Sequence, residues 1–203
     1  MHTFDIIWCD LSDYFVSLRH KEYKMFSILP ATLADCPFVA RCICMALHHE
    51  ASDDELPYIA QICARPDVLY SYRHALIGWL DDVPVGLCLA YDGDGYHETR
   101  LRTFALFAQN NEAMDLEHAE DETCAGEFYI DSLAVLPPYR RHGYARQLMQ
   151  AQMARGRQMG LTHQTLLVDP DNPQAQALYA QLGFSYESDC YAFGQTFLKW
   201  GVQ

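Results

Sequence analysis

Hydrophobic residues recur with helix-like and strand-like spacing from Met25 to the end of the chain. Residues 1–24 show no clear period. We therefore predict an N-terminal extension at 1–24, either disordered or an arm that contacts another copy, and a single domain at 25–203. A chain of 203 residues is long enough to bury one large core.

The first part of this domain predicts a strand, two helices and a β-hairpin. Thr32 or Asp35 suits the N-cap of the first helix, and Pro37 falls in its first turn. Ser52 and Glu55 form a capping box ahead of the second helix. Two apolar runs, "HALIGWL" and "VPVGLCLAY", are separated by a pair of aspartates, which predicts the hairpin.

The second part alternates strands and helices. The segment 127–136 becomes fully apolar at its end, as a strand does when it enters the centre of a sheet. A helix is predicted over 140–158, with Gly160 as its stop. The buried strand "QTLLV" follows, and then a helix that Asn172 caps and Gly183 ends.

The charge balance excludes some classes of function. There are 27 acidic and 14 basic residues, for a net charge of −13 and a pI of about 4.9. A nucleic-acid or anionic-membrane binder needs a basic face, so we expect neither kind of partner. No apolar run approaches the roughly 18–20 residues that span a bilayer, and the N-terminus does not resemble a signal peptide. We therefore expect a cytoplasmic protein.

Cysteine and histidine spacing does not suggest a metal site. The chain has eight cysteines but no Cys-x-x-Cys pair, and its nine histidines show no ligand-like spacing with cysteine or aspartate. We expect reduced, structural cysteines and no bound metal.

One segment departs from the acidic character of the chain. Residues 132–168 contain no Asp or Glu but five arginines. The first turn of a helix leaves N–H groups unpaired and favours negative charge, and Gly143 would let an anion approach the backbone. Arg140, Arg141 and Arg146 add positive charge. This pattern predicts a phosphate or pyrophosphate site; a helix with solvated arginines is the alternative.

The same residues carry a family resemblance. "LAVLPPYRRHGYARQLM" resembles the acetyl-CoA-binding signature of the GNAT superfamily of N-acetyltransferases, Arg/Gln-x-x-Gly-x-Gly/Ala, with Arg140, Gly143 and Ala145 in the three places. Further on, "DNPQAQALYAQLGFSYE" resembles the second signature, an Asn-capped helix that bears a tyrosine and ends in Leu-Gly-Phe. The close match covers 127–187, and the match is weaker over 26–91.

The resemblance implies a mixed α/β (α+β) fold. Its sheet would be mostly antiparallel, with six or seven strands and about four flanking helices. Two central parallel strands would splay apart, and acetyl-CoA, the implied co-substrate, would enter the gap between them.

The resemblance also implies cofactor-binding residues. Leu133, Ala134 and Val135 would offer main-chain groups to the pantetheine arm and thioester, and Asn172 would contact the cofactor arm. The implied pyrophosphate loop consists of Arg140, Arg141, His142, Gly143, Tyr144, Ala145 and Arg146.

Acetyl transfer from a thioester to an amine makes three chemical demands. An alkylammonium of pKa about 10.4 must lose its proton. The developing oxyanion needs hydrogen-bond donors, and the thiolate, from a thiol of pKa about 8.5, leaves more easily when an acid protonates it. The resemblance places Tyr179 beside the CoA sulfur as that acid. A tyrosine that only packs in the core is the alternative.

The general base is less clearly indicated. Some family members carry a Glu where this chain has Leu167, and others carry one at approximately Tyr129. Glu127 and Asp131 flank Tyr129 at two-residue spacing and therefore share a strand face. Either could deprotonate the amine, and a merely acidic surface is the alternative.

These features together predict an acetyl-CoA-dependent N-acetyltransferase. A primary amine on a small molecule or peptide would attack the thioester directly in a ternary complex. Acidic residues accumulate over 112–131 and would attract a cationic acceptor, although such a stretch also serves solubility. The competing hypothesis is a catalytically silent acyl-CoA-binding sensor or assembly domain. Both a monomer and a homodimer remain open.

Overall fold

The computed structural model describes residues 25–108 and 120–203, so the predicted extension at 1–24 lies outside the described residues. In these two ranges one seven-stranded sheet is present. Its strands are β1 Phe26–Pro30, β2 Ala75–Leu80, β3 Val83–Asp92, β4 Glu127–Val135, β5 His163–Val168, β6 Ser185–Ala192 and β7 Gln195–Val202. Five α-helices accompany it: α1 Cys36–Ala46, α2 Glu55–Cys63, α3 Tyr96–Phe107, α4 Tyr144–Gln158 and α5 Pro173–Gln181.

The sheet has the strand order β1-β2-β3-β4-β5-β7-β6, and β4–β5 is its parallel pair. These two strands pair only where Glu127–Tyr129 lies beside His163–Thr165. Beyond that point they separate, although β4 continues to Val135. The mostly antiparallel sheet with splayed central strands is therefore confirmed, with five helices in the described ranges where about four were expected.

Local capping bonds place several helix starts where the sequence predicts them. The Asp35 carboxylate accepts hydrogen bonds from the Thr32 N–H and hydroxyl, each at 2.7 Å, just ahead of α1. The Ser52 hydroxyl accepts from the Glu55 N–H at 3.2 Å, and Asn172 Oδ1 accepts from the Ala175 N–H at 3.0 Å. The Ser52 and Asn172 bonds satisfy N–H groups that the first turn of a helix leaves without partners, and the Asp35 bonds hold the turn that precedes α1.

The start of α4 differs from the prediction. The sequence predicts a helix from Arg140, but the chain first forms a 3-10 turn at Pro137–Tyr139 and α4 begins at Tyr144. Arg141 and Gly143 have positive φ angles of 68° and 82°. Because left-handed residues cannot continue a right-handed α-helix, these two residues form a turn that leads into the helix.

Helices cover both faces of the sheet, and neighbouring residues of β4 point to opposite faces. Phe128 packs in a hydrophobic cluster with Leu148 and Met149 of α4. Tyr129 packs in the opposite cluster, which contains residues of α1 and α2 such as Ile43. The gap between β4 and β5 is consequently walled by helices on both sides.

Candidate active site

A cleft of about 1610 Å³ opens where β4 and β5 separate. Most of the site residues predicted from the sequence line it: Asp131, Leu133, Ala134, Val135, Arg140, Arg141, Gly143, Tyr144, Ala145, Arg146, Asn172 and Tyr179. The fold therefore brings residues of β4, the turn before α4, and α5 into one cavity. His142 and Glu127 do not line it.

The end of β4 presents main-chain groups to this cleft. The Leu136 N–H donates to the Val85 carbonyl on β3 at 2.9 Å. Because successive peptide groups of a strand alternate in direction, the N–H groups of Leu133 and Val135 point away from β3, into the gap. Those of Ala134 face β3. The Val135 carbonyl accepts from Arg140 Nε at 2.9 Å, which ties the turn to the strand.

The turn before α4 leaves room for a ligand. Gly143 is the N-cap of α4, and a Cβ atom placed on it would have no neighbour within 4 Å. The first residues of α4 line the cleft, so its N-terminal N–H groups face that space. Arg146 donates a hydrogen bond to Gln181, which links the first turn of α4 to the end of α5.

His142 supports the turn from outside the cleft. Its Nδ1 lies 2.8 Å from the Arg140 carbonyl oxygen. Its ring stacks on Tyr144 with centroids 5.7 Å apart, and Tyr144 stacks on Phe26 of β1 at 4.3 Å. These contacts hold the chain around Gly143, and the ligand contact expected of His142 from the sequence stays a prediction.

Asn172 and Tyr179 approach the cleft from α5. Asn172 uses its Oδ1 to cap α5, which leaves its NH₂ group as a donor. Tyr179 is partly buried and packs edge-on against Phe184 at 6.2 Å. Burial raises the pKa of Tyr179 well above its ordinary value, with a smaller contribution from Cys88. Its hydroxyl therefore keeps its proton at neutral pH and could give it to a stronger base in the cleft.

Glu127, one of the two bases predicted from the sequence, is bound to other residues. Lys199 Nζ lies 2.8 and 3.0 Å from its two oxygens, and the hydroxyls of Thr123 and Thr165 donate to Oε2 at 2.8 and 3.1 Å. Burial raises the pKa of Glu127, but these hydrogen bonds and the Lys199 charge outweigh it and hold the pKa below the usual range. The carboxylate thus joins β4, β5 and β7.

Asp131, the other predicted base, lies in the cleft. Its two oxygens accept hydrogen bonds from the Tyr91 hydroxyl and the Ser132 hydroxyl, each at 2.6 Å. Burial raises the pKa of Asp131, and these two bonds act in the opposite direction. Asp131 therefore keeps its proton to a higher pH than an exposed aspartate does.

A second cleft carboxylate, Glu122, was not singled out from the sequence. It is 7% exposed and accepts hydrogen bonds from the Tyr96 hydroxyl at 2.7 Å and the Tyr129 hydroxyl at 2.5 Å. Burial and the charge of Asp131 raise the pKa of Glu122 to about 7, against the lowering effects of the two tyrosines and Arg100. The only signal in the sequence was its place in the acidic run 112–131, of which 112–119 lies outside the described residues.

Residues 40–184 match the sequence model of the Acetyltransferase (GNAT) family. The chain belongs to this family. The match covers most of the described domain, from within α1 to the end of α5 and just beyond it. The resemblance carried by the two signatures is therefore confirmed.

Two kinds of comparison agree with the GNAT assignment. A segment of 67 residues is 39% identical to the uncharacterized N-acetyltransferase YycN of Bacillus subtilis. That segment is 33% of this chain and 43% of the relative, so the match spans less than half of the relative's length. Among solved structures, an N-acetyltransferase from Staphylococcus aureus Mu50 has a TM-score of 0.71 at 20% identity, with 87% of this chain and all 100% of that chain covered. A Salmonella typhimurium acetyltransferase, yncA, solved with acetyl-CoA, has a TM-score of 0.54 at 17% identity and covers 88% and 93% of the two chains.

The GNAT family uses acetyl-CoA, and the chemistry of this cleft fits such a ligand. The segment 132–168, which supplies the end of β4 and the turn before α4, contains no carboxylate that would repel a pyrophosphate, although Asp169 just after it lines the cleft. Gly143 leaves the helix N-terminus open, and Arg141 adds an exposed guanidinium beside it. The GNAT-like turn and the open main-chain groups of Leu133 and Val135 lie in the same cavity.

The GNAT cleft is also lined by residues that the sequence did not indicate as functional. His48 and His49 lie between α1 and α2, Glu55 begins α2, and Tyr70 and Phe197 add aromatic surface. His49 Nε2 lies 2.9 Å from a Glu55 oxygen. This part of the cleft therefore combines apolar surface with polar groups.

Across the described ranges, no group of three or more His, Cys, Asp or Glu side chains is placed to hold a metal ion. In the same ranges, no helix has the length and apolar character needed to cross a membrane.

Proposed function

We propose that the protein is an acetyl-CoA-dependent N-acetyltransferase that acts on the primary amine of a cationic acceptor, a small molecule or a peptide. The observation that carries the proposal is one continuous cleft. It joins the open turn before α4, the main-chain groups of β4 and the protonated hydroxyl of Tyr179. The main-chain groups and Tyr179 are candidates for two of the three demands of acetyl transfer, and the carboxylates that line the same cleft are candidates for the third.

The turn and strand would bind and orient the co-substrate. N–H groups of the segment 141–146 and the guanidinium of Arg141 would hold the pyrophosphate, because helix N-termini and arginines both favour phosphate oxygens. Leu133 and Val135 would donate their N–H groups to the pantetheine arm or the carbonyl. Asn172 would contribute its NH₂ group. Acetyl-CoA itself supplies an acetyl group activated as a thioester.

Main-chain donors and Tyr179 would share the work at the reacting centre. Donors fixed in a strand need no reorganisation when negative charge develops on the carbonyl oxygen, and this is why they stabilise it effectively. Tyr179 would protonate the departing sulfur. A phenol of raised pKa is a weak acid, but it is protonated at neutral pH and is regenerated by solvent or by the amine proton.

Charge in the cleft supports a cationic acceptor. Asp131 and Glu122 line the same cleft as the arginine-bearing turn, so the cavity carries both acidic and basic side chains. The carboxylates would attract an ammonium acceptor, and the arginines would attract the anionic co-substrate. The acceptor amine must still lose a proton to a carboxylate of the cleft.

The test measures CoA release with a thiol reagent, with and without amines. The panel contains a polyamine, an aminoglycoside, free lysine and a peptide with an unblocked N-terminus. Amine-dependent CoA release supports the transferase. Acetyl-CoA binding by calorimetry with no turnover for any amine would support the silent acyl-CoA-binding domain instead. Absence of both binding and turnover would reject both functions.

A further inference from the structure

We infer that Glu122 is the general base of the proposed transfer, and that Tyr96 and Tyr129 are positioning residues that hold its carboxylate toward the cleft. The inference rests on the proposed N-acetyltransferase function. It names the side chain that takes the proton from the acceptor ammonium, a role that neither sequence signature assigns.

The first support is position. Glu122 precedes β4 and its side chain lines the same cleft as Asp131 and Tyr179. The Tyr129 hydroxyl donates to Glu122 at 2.5 Å, so the carboxylate lies at the tip of the Tyr129 ring. Glu122 belongs to the segment before β4, but its carboxylate lies where the side chain of Tyr129 on β4 ends.

The second support is elimination among the other carboxylates near β4. Leu167 is apolar and lines the cleft without a titratable group. Glu127 is paired with Lys199 and lies outside the cleft lining. Asp131 remains a second acid in the cleft, and like Glu122 it accepts one short hydrogen bond at each oxygen. The charge of Asp131 raises the pKa of Glu122.

The third support is the hydrogen-bond geometry of Glu122 itself. Tyr96 donates to Oε1 and Tyr129 donates to Oε2, so each oxygen has one fixed partner. A carboxylate oxygen has a second lone pair, which leaves room for an incoming proton. The rings of Tyr91, Tyr96 and Tyr129 pack against one another with centroids 5.8–6.4 Å apart. This packing holds in place the Tyr96 and Tyr129 hydroxyls that donate to Glu122.

Several titratable groups face Glu122 from the packed elements. They are Tyr96 and Arg100 on α3, Tyr129 and Asp131 on β4, Tyr91 on β3, Tyr70 before β2, and Cys190 on β6. Burial raises the pKa of all four tyrosines, so they remain neutral donors near pH 7. Arg100 favours the carboxylate form of Glu122 and Asp131 disfavours it. The resulting pKa of Glu122 is about 7, and a general base is most effective when its pKa lies near the working pH.

The proton balance is as follows. An N–H bond of the acceptor ammonium breaks, its proton moves to a Glu122 oxygen, and its electron pair stays on nitrogen. That pair forms the C–N bond, and the electron pair of the C–S bond leaves with sulfur. Sulfur takes a proton from Tyr179, which the second amine proton replaces. One proton per turnover remains on Glu122 and passes to solvent.

The experiment compares the pH dependence of kcat/KM for wild type and Glu122→Gln, with Glu98→Gln as the matched control. Glu98 is exposed on α3 and undergoes the same change of charge. Wild-type activity should rise as pH increases through about 7. Glu122→Gln should lose that step and about 10²- to 10⁴-fold in kcat at pH 7.5. The deficit should shrink toward pH 10, because the free amine then forms without a base.

Two further variants separate positioning from folding. Tyr96→Phe and Tyr129→Phe each remove a hydrogen bond that lowers the pKa of Glu122. Both should therefore move the wild-type step to higher pH, a change that a purely structural tyrosine would not produce. If circular dichroism shows that Glu122→Gln is unfolded, the pH profiles of these two variants test the role of Glu122 in its place.

The outcomes distinguish this inference from the function on which it rests. Amine-dependent CoA release in wild type, together with an unchanged pH profile in Glu122→Gln or in both tyrosine variants, would overturn the role of Glu122 and leave the transferase intact. No release from wild type with any amine would overturn the transferase, and the base assignment with it.

Discussion

Lys199→Met tests whether Glu127 is a structural residue. The side chains of Glu127 and Lys199 are 9% and 15% exposed, and their closest atoms are 2.8 Å apart. Removing one partner of a buried ion pair typically costs about 3–5 kcal/mol, because the other charge remains buried without compensation. Thr123 and Thr165 would still donate to Glu127, so we expect the low end, about 3 kcal/mol.

This loss should be visible as a change in melting temperature. A domain of this size loses about 2–4 °C per kcal/mol, so Lys199→Met should melt about 6–12 °C lower at pH 7.5. Differential scanning calorimetry and urea unfolding measure the two quantities. The double variant Glu127→Gln, Lys199→Met should regain part of the loss, since it no longer buries an unpaired charge.

The effect of pH on stability gives a second test of the Glu127–Lys199 pair. In wild type, folding lowers the pKa of Glu127 below its unfolded pKa of about 4.3. The stability that Glu127 contributes is therefore fully present above the unfolded pKa and is lost as the pH falls through the folded pKa. The difference between wild type and Lys199→Met should therefore shrink at low pH. A loss below about 0.5 kcal/mol at pH 7.5, or a loss that does not depend on pH, would refute the structural assignment of Glu127.

Three other predictions concern the site and the domain boundary. Tyr179→Phe should lower kcat by about 10²- to 10⁴-fold with little change in the acetyl-CoA dissociation constant, and retention of more than half of wild-type kcat with chemistry rate-limiting would contradict the acid role. Gly143→Glu and Arg141→Glu should weaken CoA binding by calorimetry by at least about tenfold with unchanged circular dichroism, whereas Arg157→Glu, near the other end of α4, should not. Deletion of residues 1–24 should leave melting temperature and CoA affinity nearly unchanged, and a large loss of either would show that the segment belongs to the domain.

Much of the fold could be predicted from short stretches of sequence. The caps at Ser52 and Asn172 are bonds between residues three apart, so the local sequence contains both partners. Strand and helix periods likewise depend on neighbouring positions. The two signatures then indicated the family, which the match over 40–184 confirmed. The start of α4 escaped prediction, since residues 140–143 are compatible with a helix by composition and only their φ angles exclude it.

The roles of the acidic side chains were decided by tertiary structure. Glu127 and Asp131 share a strand face, as the two-residue spacing predicts, yet only Asp131 lines the cleft. The partner that holds Glu127 is Lys199, 72 residues away on β7. Glu122 meets Tyr96 across a separation of 26 residues. No local pattern connects such positions.

The sequence by itself determined where most helices and strands form and which turn is the candidate for binding an anion, because backbone hydrogen bonding and helix-terminal charge are local properties. Which carboxylate is buried, paired or left open to the cleft depends on contacts between distant strands. Burial and neighbouring charge set the pKa of each acid, and both arise only when β4, β5 and β7 come together with α3. For this reason three acids of similar appearance in the sequence, Glu122, Glu127 and Asp131, differ in the folded protein.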